Sequence, residues 1–555
     1  MNNHTTDQYA EPRDEESEGV PAPEGPANLI DTDYVIGQDN VTARKFGMDV
    51  DLHGKVFGIS SLVVTFFVII TLALQSQVDP VFNGLREWLT TNLSWFFLFS
   101  ANIFVVLAFV LIFTPLGRVR LGGMHATPDF SYTGWFAMLF AAGMGIGLMF
   151  YGVAEPLTHF GTSFAGTAMQ NGARTDWAPL AAAAGNEPAA AKLAMAATIF
   201  HWGLHPWGIY AIVALSLALF SFNKGLPLTM RSVFYPILGE RVWGWPGHII
   251  DILAVFATLF GLATSLGLGA SQAAAGLKYL FSIPDNQVTM VLLIMGITAV
   301  ALTSVVLGVD KGVQRLSQIN MVLAFLLLGF VILVGPTLFI LTGFFDNLWG
   351  YVAHLPALSN PFGRNDTNFV EGWTAFYWAW WISWSPFVGM FIARVSRGRT
   401  VREFLIAVLL VPTVISVLWM TAFGGAAINQ VVASGFNDVK NSDLDLQLFV
   451  MLGHMPWTAI TSFIGIILVI VFFVTSSDSG SLVIDSITAG GKVDAPKPQR
   501  VFWAIIEGAV AIALLLGGGL SALQAMAIST GLPFTLVLLA ASYAIVKGLM
   551  DEPRA

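Results

Sequence analysis

Long apolar stretches separated by short polar segments fill most of this 555-residue chain. Twelve of them are long enough for a helix to cross a bilayer, which takes roughly 20 residues. They lie at roughly 55–75, 94–116, 133–157, 192–222, 247–279, 288–308, 319–345, 372–394, 402–428, 457–487, 501–525 and 529–547. The pattern predicts an all-α integral membrane protein with twelve transmembrane helices.

Basic residues are shared unevenly between the connecting loops. The loops after even-numbered stretches hold most of the Lys and Arg residues, including Arg118, Lys224 and the dense segment Arg394–Arg402. Because basic loops stay in the cytoplasm, both termini are predicted to be cytoplasmic. The dense segment also suits anionic membrane lipids or the acidic N-terminal tail, although an orientation signal alone explains most of it.

Composition narrows the class of protein. Only 11% of the residues are charged and the mean hydropathy is +0.71, which excludes a large soluble protein. The chain has no cysteine, so disulfides and thiolate metal sites are excluded, and its net charge of -9 argues against nucleic-acid binding. Residues 1–50 are acidic and contain several prolines, which predicts a disordered cytoplasmic tail without a signal peptide.

One apolar stretch is unusually rich in tryptophan. Trp378, Trp381 and Trp384 follow at i, i+3 and i+6, so they are predicted to share a slowly precessing side of a helix that Pro386 breaks or kinks. Tryptophans at this spacing commonly form an interfacial belt or fill packing space. Here they lie in the middle of the stretch, which favours a site where π faces bind a quaternary ammonium cation.

A second aromatic cluster surrounds Pro206. Trp202, Trp207 and Tyr210 lie within about two helical turns of one another, beside the kink that this proline predicts. His201 and His205 at i and i+4 could bind a metal, but neither a carboxylate nor a thiolate accompanies them. Structural hydrogen bonding is the simpler interpretation of the two histidines.

Interruptions occur at corresponding places of two halves of the chain. Gly143, Gly145 and Gly147 lie inside the third stretch, where closely spaced glycines indicate either close helix packing or an unwound backbone. Five stretches run from the third to the seventh and five from the eighth, which holds Pro386, to the twelfth. Paired interruptions of this kind are typical of an inverted-repeat transporter with its site at the membrane midplane.

The tenth stretch carries a run of oxygen-bearing side chains, Thr475 to Ser479. Single hydroxyls in membrane helices usually bond to their own helix, but this many in succession favours a sodium site. Asp478 is an acid inside this stretch, and it is either functional or a cap at the cytoplasmic end.

Taken in order, these motifs closely resemble the betaine-choline-carnitine transporter family, and within it the sodium-coupled glycine betaine symporters. The resemblance is carried by Gly143–Gly152, Glu155–Pro156, Phe200–Trp202, His205–Trp207, Ile209–Tyr210 and Tyr377–Arg399. It implies a homotrimer with the 5+5 inverted repeat of the neurotransmitter-sodium symporters. Two peripheral helices would lie in 51–130, the repeats in 131–345 and 346–547, and a short tail in 548–555.

The resemblance also implies site residues. Trp202, Trp207, Tyr210 and Trp381 would form the cage for the trimethylammonium group, Trp384 and Trp378 would line the same pathway, and Gly143, Met144, Gly145 and Gly147 would meet the substrate. One sodium would be bound by the backbone of Ala141, Met144 and Phe472 and by the hydroxyls of Thr475 and Ser476. A second sodium site would use Thr258 and Phe387, but Leu262 stands where the family has a threonine.

The expected function is therefore import of glycine betaine, a compatible solute, by sodium symport, with sodium as the coupling ion and no other cofactor. Choline-selective relatives place an aspartate at the position of Gly147, so glycine there favours a zwitterion that brings its own carboxylate. Ectoine, proline or carnitine are alternative substrates, and an osmosensor or channel without coupled transport is the alternative of another class. No nucleophile and base at usable spacing indicates an enzyme.

Overall fold

The computed structural model describes residues 20–45, 48–166, 169–170, 173–174, 180, 183–307, 310–364, 366–492 and 495–554. The start of the predicted disordered tail, residues 1–19, lies outside these ranges. Helices dominate the described chain, and the only strands it contains form two small antiparallel hairpins. The prediction of an all-α membrane protein is confirmed at this level.

The α-helices are, in chain order, α1 Gly54–Ala73, α2 Gln75–Phe113, α3 Tyr132–Gly143, α4 Ile146–Ala165, α5 Glu187–Trp202, α6 Leu204–Ala218, α7 Tyr235–Leu238, α8 Trp245–Phe281, α9 Gln287–Leu307, α10 Asp310–Val334, α11 Thr337–Ser359, α12 Thr367–Phe369, α13 Ala375–Val395, α14 Val401–Ser434, α15 Asp438–Asn441, α16 Gln447–Gly453, α17 Thr458–Thr488 and α18 Lys497–Met550. The hairpins pair β1 Asn40–Lys45 with β2 Met48–His53, and β3 Met169–Gln170 with β4 Ala173–Arg174. Single turns of 3₁₀ or π geometry fill several of the connections.

Nine helices within the described residues are long and apolar enough to cross a membrane, or ten if the bent pair α3 and α4 counts as one span. The bend between α3 and α4 is 64°. The tryptophan-rich α13 is not among the nine, because its indoles lower the hydropathy of a helix that is otherwise uncharged along most of its length. The count of twelve spans and the internal repeat remain predictions.

Several helix boundaries differ from those that the sequence predicts. The stretch 319–345 is divided, because α10 ends at Val334 and α11 begins only after Pro336, which cannot continue a helix. The stretches 501–525 and 529–547 form one element, α18, whose geometry is non-helical at Gly518 and Gly519 rather than near residue 527.

Of the predicted break or kink of α13 at Pro386, the break is wrong, since the helix runs without interruption from Ala375 to Val395, and the kink stays a prediction. Pro386 deprives the Ile382 carbonyl of its usual amide partner. The Ser385 hydroxyl donates to that carbonyl instead, at 2.6 Å. A local side-chain donor thus replaces the lost backbone hydrogen bond, and the helix continues.

The N-terminal segment and the basic loops meet at one end of the molecule, which we call the terminal face. Glu24 pairs with Arg397 at 2.6 Å, and Asp51 pairs with Lys492 at 2.6 Å. The Ile30 amide donates to the Lys224 carbonyl at 3.1 Å. The structure therefore gives residues 20–45 and 48–53 defined contacts where the sequence analysis predicts disorder, because acidic and backbone groups of this segment find partners in the loops.

Candidate functional site

The chain leaves helical geometry between α3 and α4. Met144 has φ -87° and ψ 128°, and the following Gly145 is fully extended with φ -169° and ψ -175°. The last hydrogen bond of α3 joins the Met144 amide to the Phe140 carbonyl, and the first of α4 joins Met149 to Gly145. The intervening carbonyls and amides therefore have no partner within either helix. Of the two interpretations of the glycines, the unwound backbone is confirmed.

A cavity of about 230 Å³ lies beside this unwound segment. Its walls include aromatic residues from three helices: Trp202 ends α5, Trp207 and Tyr210 lie in the first turns of α6, and Trp381 and Trp384 project from α13. Gly203 and Pro206 interrupt the helix between the first two groups, because Pro206 cannot bond to the Trp202 carbonyl. The two aromatic clusters predicted from the sequence thus face one space.

The rings meet nearly at right angles. Trp202 and Trp381 have ring centroids 5.0 Å apart at 74°, and Tyr210 and Trp381 are 6.2 Å apart at 75°. Trp207 contacts Tyr210 at 5.3 Å and 71°. Edge-to-face contacts are favourable between aromatic quadrupoles. They also orient the ring faces in several directions around the cavity.

Three of the cavity tryptophans donate their indole N–H groups to the protein. Trp202 donates to Glu155 at 2.8 Å, and Trp381 donates to the His201 carbonyl at 3.0 Å. Trp384 donates to the Gly261 carbonyl at 2.8 Å. These three indoles therefore have their electron-rich ring faces, rather than their N–H groups, left for a ligand.

None of the described residues that line the cavity carries a formal charge. The amides of Ile146, Gly147 and Leu148, at the start of α4, belong to the lining and have no partner within that helix. Unpaired amides at a helix N-terminus attract anions. The site therefore offers π faces to a cation and free amides to an anion.

The residues that the family resemblance implies for sodium also line the cavity. Ala141, Met144, Phe472, Thr475 and Ser476, the five positions implied for the first sodium, all line the cavity. The Thr475 hydroxyl donates to the Val471 carbonyl at 3.0 Å, which leaves its lone pairs for a cation.

The second predicted sodium site is not assembled in the same way. Phe387 lines the cavity, but Thr258 does not, and its hydroxyl donates to the Ala254 carbonyl at 2.7 Å. Leu262 packs so closely against Gly480 that a β-carbon there would lie 2.3 Å from the leucine. The Leu262 side chain, which offers no oxygen, therefore occupies the position where the family has a threonine.

Trp378 does not line the cavity, contrary to the prediction. It stacks on His205 with centroids 5.3 Å apart and contacts Phe200 at 5.1 Å. Each step of three residues turns a helix back by about 60°, so Trp378 and Trp384 point about 120° apart. Trp380, which the sequence analysis passed over, lines the cavity four residues before Trp384.

The two histidines that could share a metal point to different partners. His201 lies 2.6 Å from Glu155, whereas the Nε2 atom of His205 lies 2.9 Å from the Asn102 side chain. Asp478 pairs with Arg500 at 3.0 Å and does not line the cavity. His201 and His205 therefore do not form a shared metal site, despite their i and i+4 spacing. Asp478 belongs to an ion pair.

Comparison with known proteins decides the class of this site. The profile described as "BCCT, betaine/carnitine/choline family transporter" matches residues 55–554. The chain belongs to this family. Its members are transporters and not enzymes, and the family match therefore confirms the resemblance given by the aromatic and glycine motifs.

Three relatives from Vibrio parahaemolyticus are similar to this BCCT protein over nearly its whole length. A glycine betaine/proline/choline transporter is 66% identical over 536 residues, covering 97% of each chain. Glycine betaine transporter 1 is 55% identical, covering 95% of this chain and 98% of the relative. A glycine betaine/proline/choline/ectoine transporter is 51% identical, covering 94% and 91%.

Glu155 is the part of this BCCT site that sequence reasoning left without a role. It is fully buried in α4 and accepts hydrogen bonds from Trp202 and from Tyr377, at 2.8 and 2.6 Å. The signal was present, because an acid inside a membrane stretch is a functional candidate by default. Its partners, however, lie 47 and 222 residues away and only the fold brings them together.

Proposed function

We propose that this protein imports glycine betaine by sodium symport with alternating access. The observation that carries the proposal is the uncharged cavity walled by Trp202, Trp207, Tyr210, Trp381 and Trp384, next to the unwound segment of α3 and α4. A trimethylammonium group cannot donate hydrogen bonds, so ring faces are its best partners in a dry site. Each desolvated cation-π contact contributes about 2 kcal/mol, and several together offset much of the cost of dehydration.

The carboxylate of the same substrate suits the start of α4. Free amides and the positive end of the helix dipole favour an anion there. At Gly147 a β-carbon would lie 2.8 Å from the Trp202 ring and 3.0 Å from the Trp380 ring. A side chain at this position would crowd the cage, which supports a zwitterion rather than a protein carboxylate as the source of negative charge.

Sodium is the proposed coupling ion. Carbonyl oxygens at the end of α3 and hydroxyls of α17 meet beside the substrate cavity, and hard oxygen ligands suit a dehydrated Na⁺. Binding there would link α3 to α17 and stabilise the segment that faces the substrate. Because Leu262 packs against Gly480, we assign one sodium to the first site and none to the second.

The remaining architecture follows the family resemblance. We propose twelve spans as a 5+5 inverted repeat after two peripheral helices, a homotrimer in the inner membrane, and a terminal face in the cytoplasm near anionic lipids. The terminal face supports this orientation, because it gathers basic loop residues such as Arg397 and Lys492. Rocking of one group of helices around the site would then give alternating access.

Reconstituted proteoliposomes test the proposal. With an inward sodium gradient, radiolabelled glycine betaine should accumulate above its external concentration, and dissipating the gradient should abolish accumulation. Betaine uptake that does not change when sodium is removed would contradict symport. Uptake that only reaches the external concentration would favour the alternative of a channel or osmosensor.

A competition panel with betaine, proline, choline, ectoine and carnitine identifies the substrate range. The names of the relatives make proline, choline and ectoine the relevant competitors. We expect betaine to bind most tightly, since it combines a quaternary cation with a carboxylate. Choline that competes as well as betaine would contradict the role given to the free amides of α4.

A further inference from the structure

Glu155 lies behind the aromatic wall and outside the cavity lining, and its carboxylate is completely enclosed. Oε2 accepts from the Trp202 indole at 2.8 Å and from the Tyr377 hydroxyl at 2.6 Å. Oε1 lies 2.6 Å from His201 Nδ1 and 3.2 Å from His159 Nε2. An ionised carboxylate can accept about four hydrogen bonds, so this shell satisfies it without a basic partner.

Neutral forms of the two histidines fit this shell. With protons on His201 Nδ1 and His159 Nε2, both rings donate to the carboxylate. His201 Nε2 then accepts from the Thr374 hydroxyl, which lies 2.9 Å away. This arrangement leaves one negative charge in the cluster, and it pairs both carboxylate oxygens and both ring nitrogens of His201.

The same cluster supports two walls of the cavity. Glu155 binds the Trp202 indole directly, and the ring of His201, whose carbonyl accepts from Trp381, is fixed between Glu155 and Thr374. Trp202 and Trp381 are the perpendicular pair described above. A shift of the carboxylate would therefore move both rings.

We propose that Glu155 is a positioning residue that fixes Trp202 and, through His201, Trp381, and that its buried negative charge favours a cation in the cavity. The assignment rests on the proposed function, because it presumes a quaternary ammonium ligand. Ligand atoms of Glu155, His159 and His201 also lie within 4.8 Å of one another, as in a metal site. We favour hydrogen bonding, because Trp202 and Tyr377 already occupy Oε2.

The test separates charge from shape by comparing two ligands. Glycine betaine and 3,3-dimethylbutyrate have nearly the same shape, but only betaine carries a positive charge. Quenching of tryptophan fluorescence in purified full-length protein gives a dissociation constant for each. Wild-type protein should bind betaine more tightly than this analogue, which keeps the carboxylate but lacks the ammonium charge.

In Glu155→Gln the charge is lost and an amide NH₂ faces existing donors. We expect betaine binding to weaken about tenfold while binding of the carbon analogue, which is an anion, weakens much less, so that discrimination falls. Betaine uptake should show a raised KM with little change in Vmax. Glu187→Gln, at an exposed position in the first turn of α5, is the matched control and should leave both constants unchanged.

Two further variants keep the test decisive if Glu155→Gln does not fold. Tyr377→Phe removes one donor and keeps the charge, so both ligands should weaken by a similar factor. Glu155→Asp should retain discrimination while weakening both ligands, because its shorter side chain keeps the charge but not the reach to Trp202.

Particular results would overturn the assignment. Equal weakening of both ligands in Glu155→Gln, or lost discrimination in Tyr377→Phe, would show a merely structural role. A divalent metal present at one equivalent in wild-type protein and absent from Glu155→Gln would show a metal site instead. If wild-type protein binds neither ligand while remaining folded, the proposed substrate is wrong, and this assignment falls with it.

Discussion

The cavity and the terminal face both bury charge, but they neutralise it differently. At the terminal face Arg231 and Asp251 are fully buried and lie 3.0 Å apart, and Lys224 meets Glu552 at 2.6 Å. Behind the cavity, Glu155 is surrounded by uncharged donors or neutral rings. Opposite charges therefore cancel at the terminal face. Behind the cavity, the negative charge of Glu155 remains close to the proposed ligand site.

The ion pairs of the terminal face therefore serve stability, whereas the charge of Glu155 serves ligand binding. The Arg231 guanidinium also donates to the Tyr34 hydroxyl at 3.1 Å, so the pair with Asp251 holds the N-terminal segment in place. Burial, with Arg231 nearby, lowers the pKa of His53 to about 4, so this ring stays neutral beside the pair at physiological pH. We expect changes at the terminal face to affect stability and changes at the cavity to affect binding.

The largest expected effect is on the cavity side. Trp381→Leu removes a ring that contacts both Trp202 and Tyr210, and should weaken betaine binding by about thirtyfold or more while the protein stays folded. Fluorescence titration and size-exclusion chromatography measure the two properties. Trp378→Leu on the same helix is the control, because this buried ring does not line the cavity. It should lower stability and preserve affinity, and the opposite outcome would reverse our assignment of the two rings.

At the terminal face, Asp251→Asn leaves the buried Arg231 without a counter-charge. Removing one partner of a buried pair costs about 3–5 kcal/mol, so the melting temperature of the solubilised protein should drop clearly while the KM for betaine stays the same. Asp49→Asn gives the matched control, since its pair with Arg44 is exposed and contributes little. A changed KM with normal melting would show that the two regions are not separable.

A pair of glycines in α4 sharpens the comparison. Gly147→Ala should weaken betaine binding about tenfold, because the new methyl group would press on the Trp202 and Trp380 rings. Gly161→Ala, also in α4, is the control, since no atom lies within 4 Å of the added carbon and this residue does not line the cavity. Equal effects of the two substitutions would mean that backbone geometry, rather than the rings, limits this position.

The smallest expected effect concerns the ion. Thr475→Ala should raise the sodium concentration needed for half-maximal uptake by several-fold, with a smaller change in maximal uptake, because one of several oxygen ligands is lost. Ser477→Ala is the control, since that hydroxyl donates to Glu507 and does not line the cavity. Uptake at varied sodium concentrations separates the variants. A sodium response unchanged by Thr475→Ala would remove this hydroxyl from the proposed ligand set.

The sequence predicted the parts of the site that depend on local pattern. Spacing indicated the aromatic cluster around Pro206 and the glycine-rich interruption separately, and the family resemblance implied that they would lie together with the ring of Trp381. Trp378 was placed wrongly, because steps of three residues drift around a helix. The α13 break was predicted wrongly, because the rule for Pro386 takes no account of a neighbouring hydroxyl.

The rest depended on contacts between distant parts of the chain. The partners of Glu155 come from α4, α5 and α13, and no periodicity within one helix indicates that they meet. The same holds for the terminal face, where Tyr34 stacks on Trp243 with centroids 4.0 Å apart. Composition alone suggested a disordered segment there, because it describes the segment and not the surface that receives it.

The course of this N-terminal segment has a mechanical consequence. Within about thirty residues it bonds to Arg397 after α13, to Lys224 after α6, and to Ala489 and Lys492 after α17. A segment that is bonded to three loops resists any change in the distances between those loops. If α13 and α17 move apart at this end during a transport cycle, at least one of these contacts must break first. The free energy of breaking it then adds to the barrier for that step.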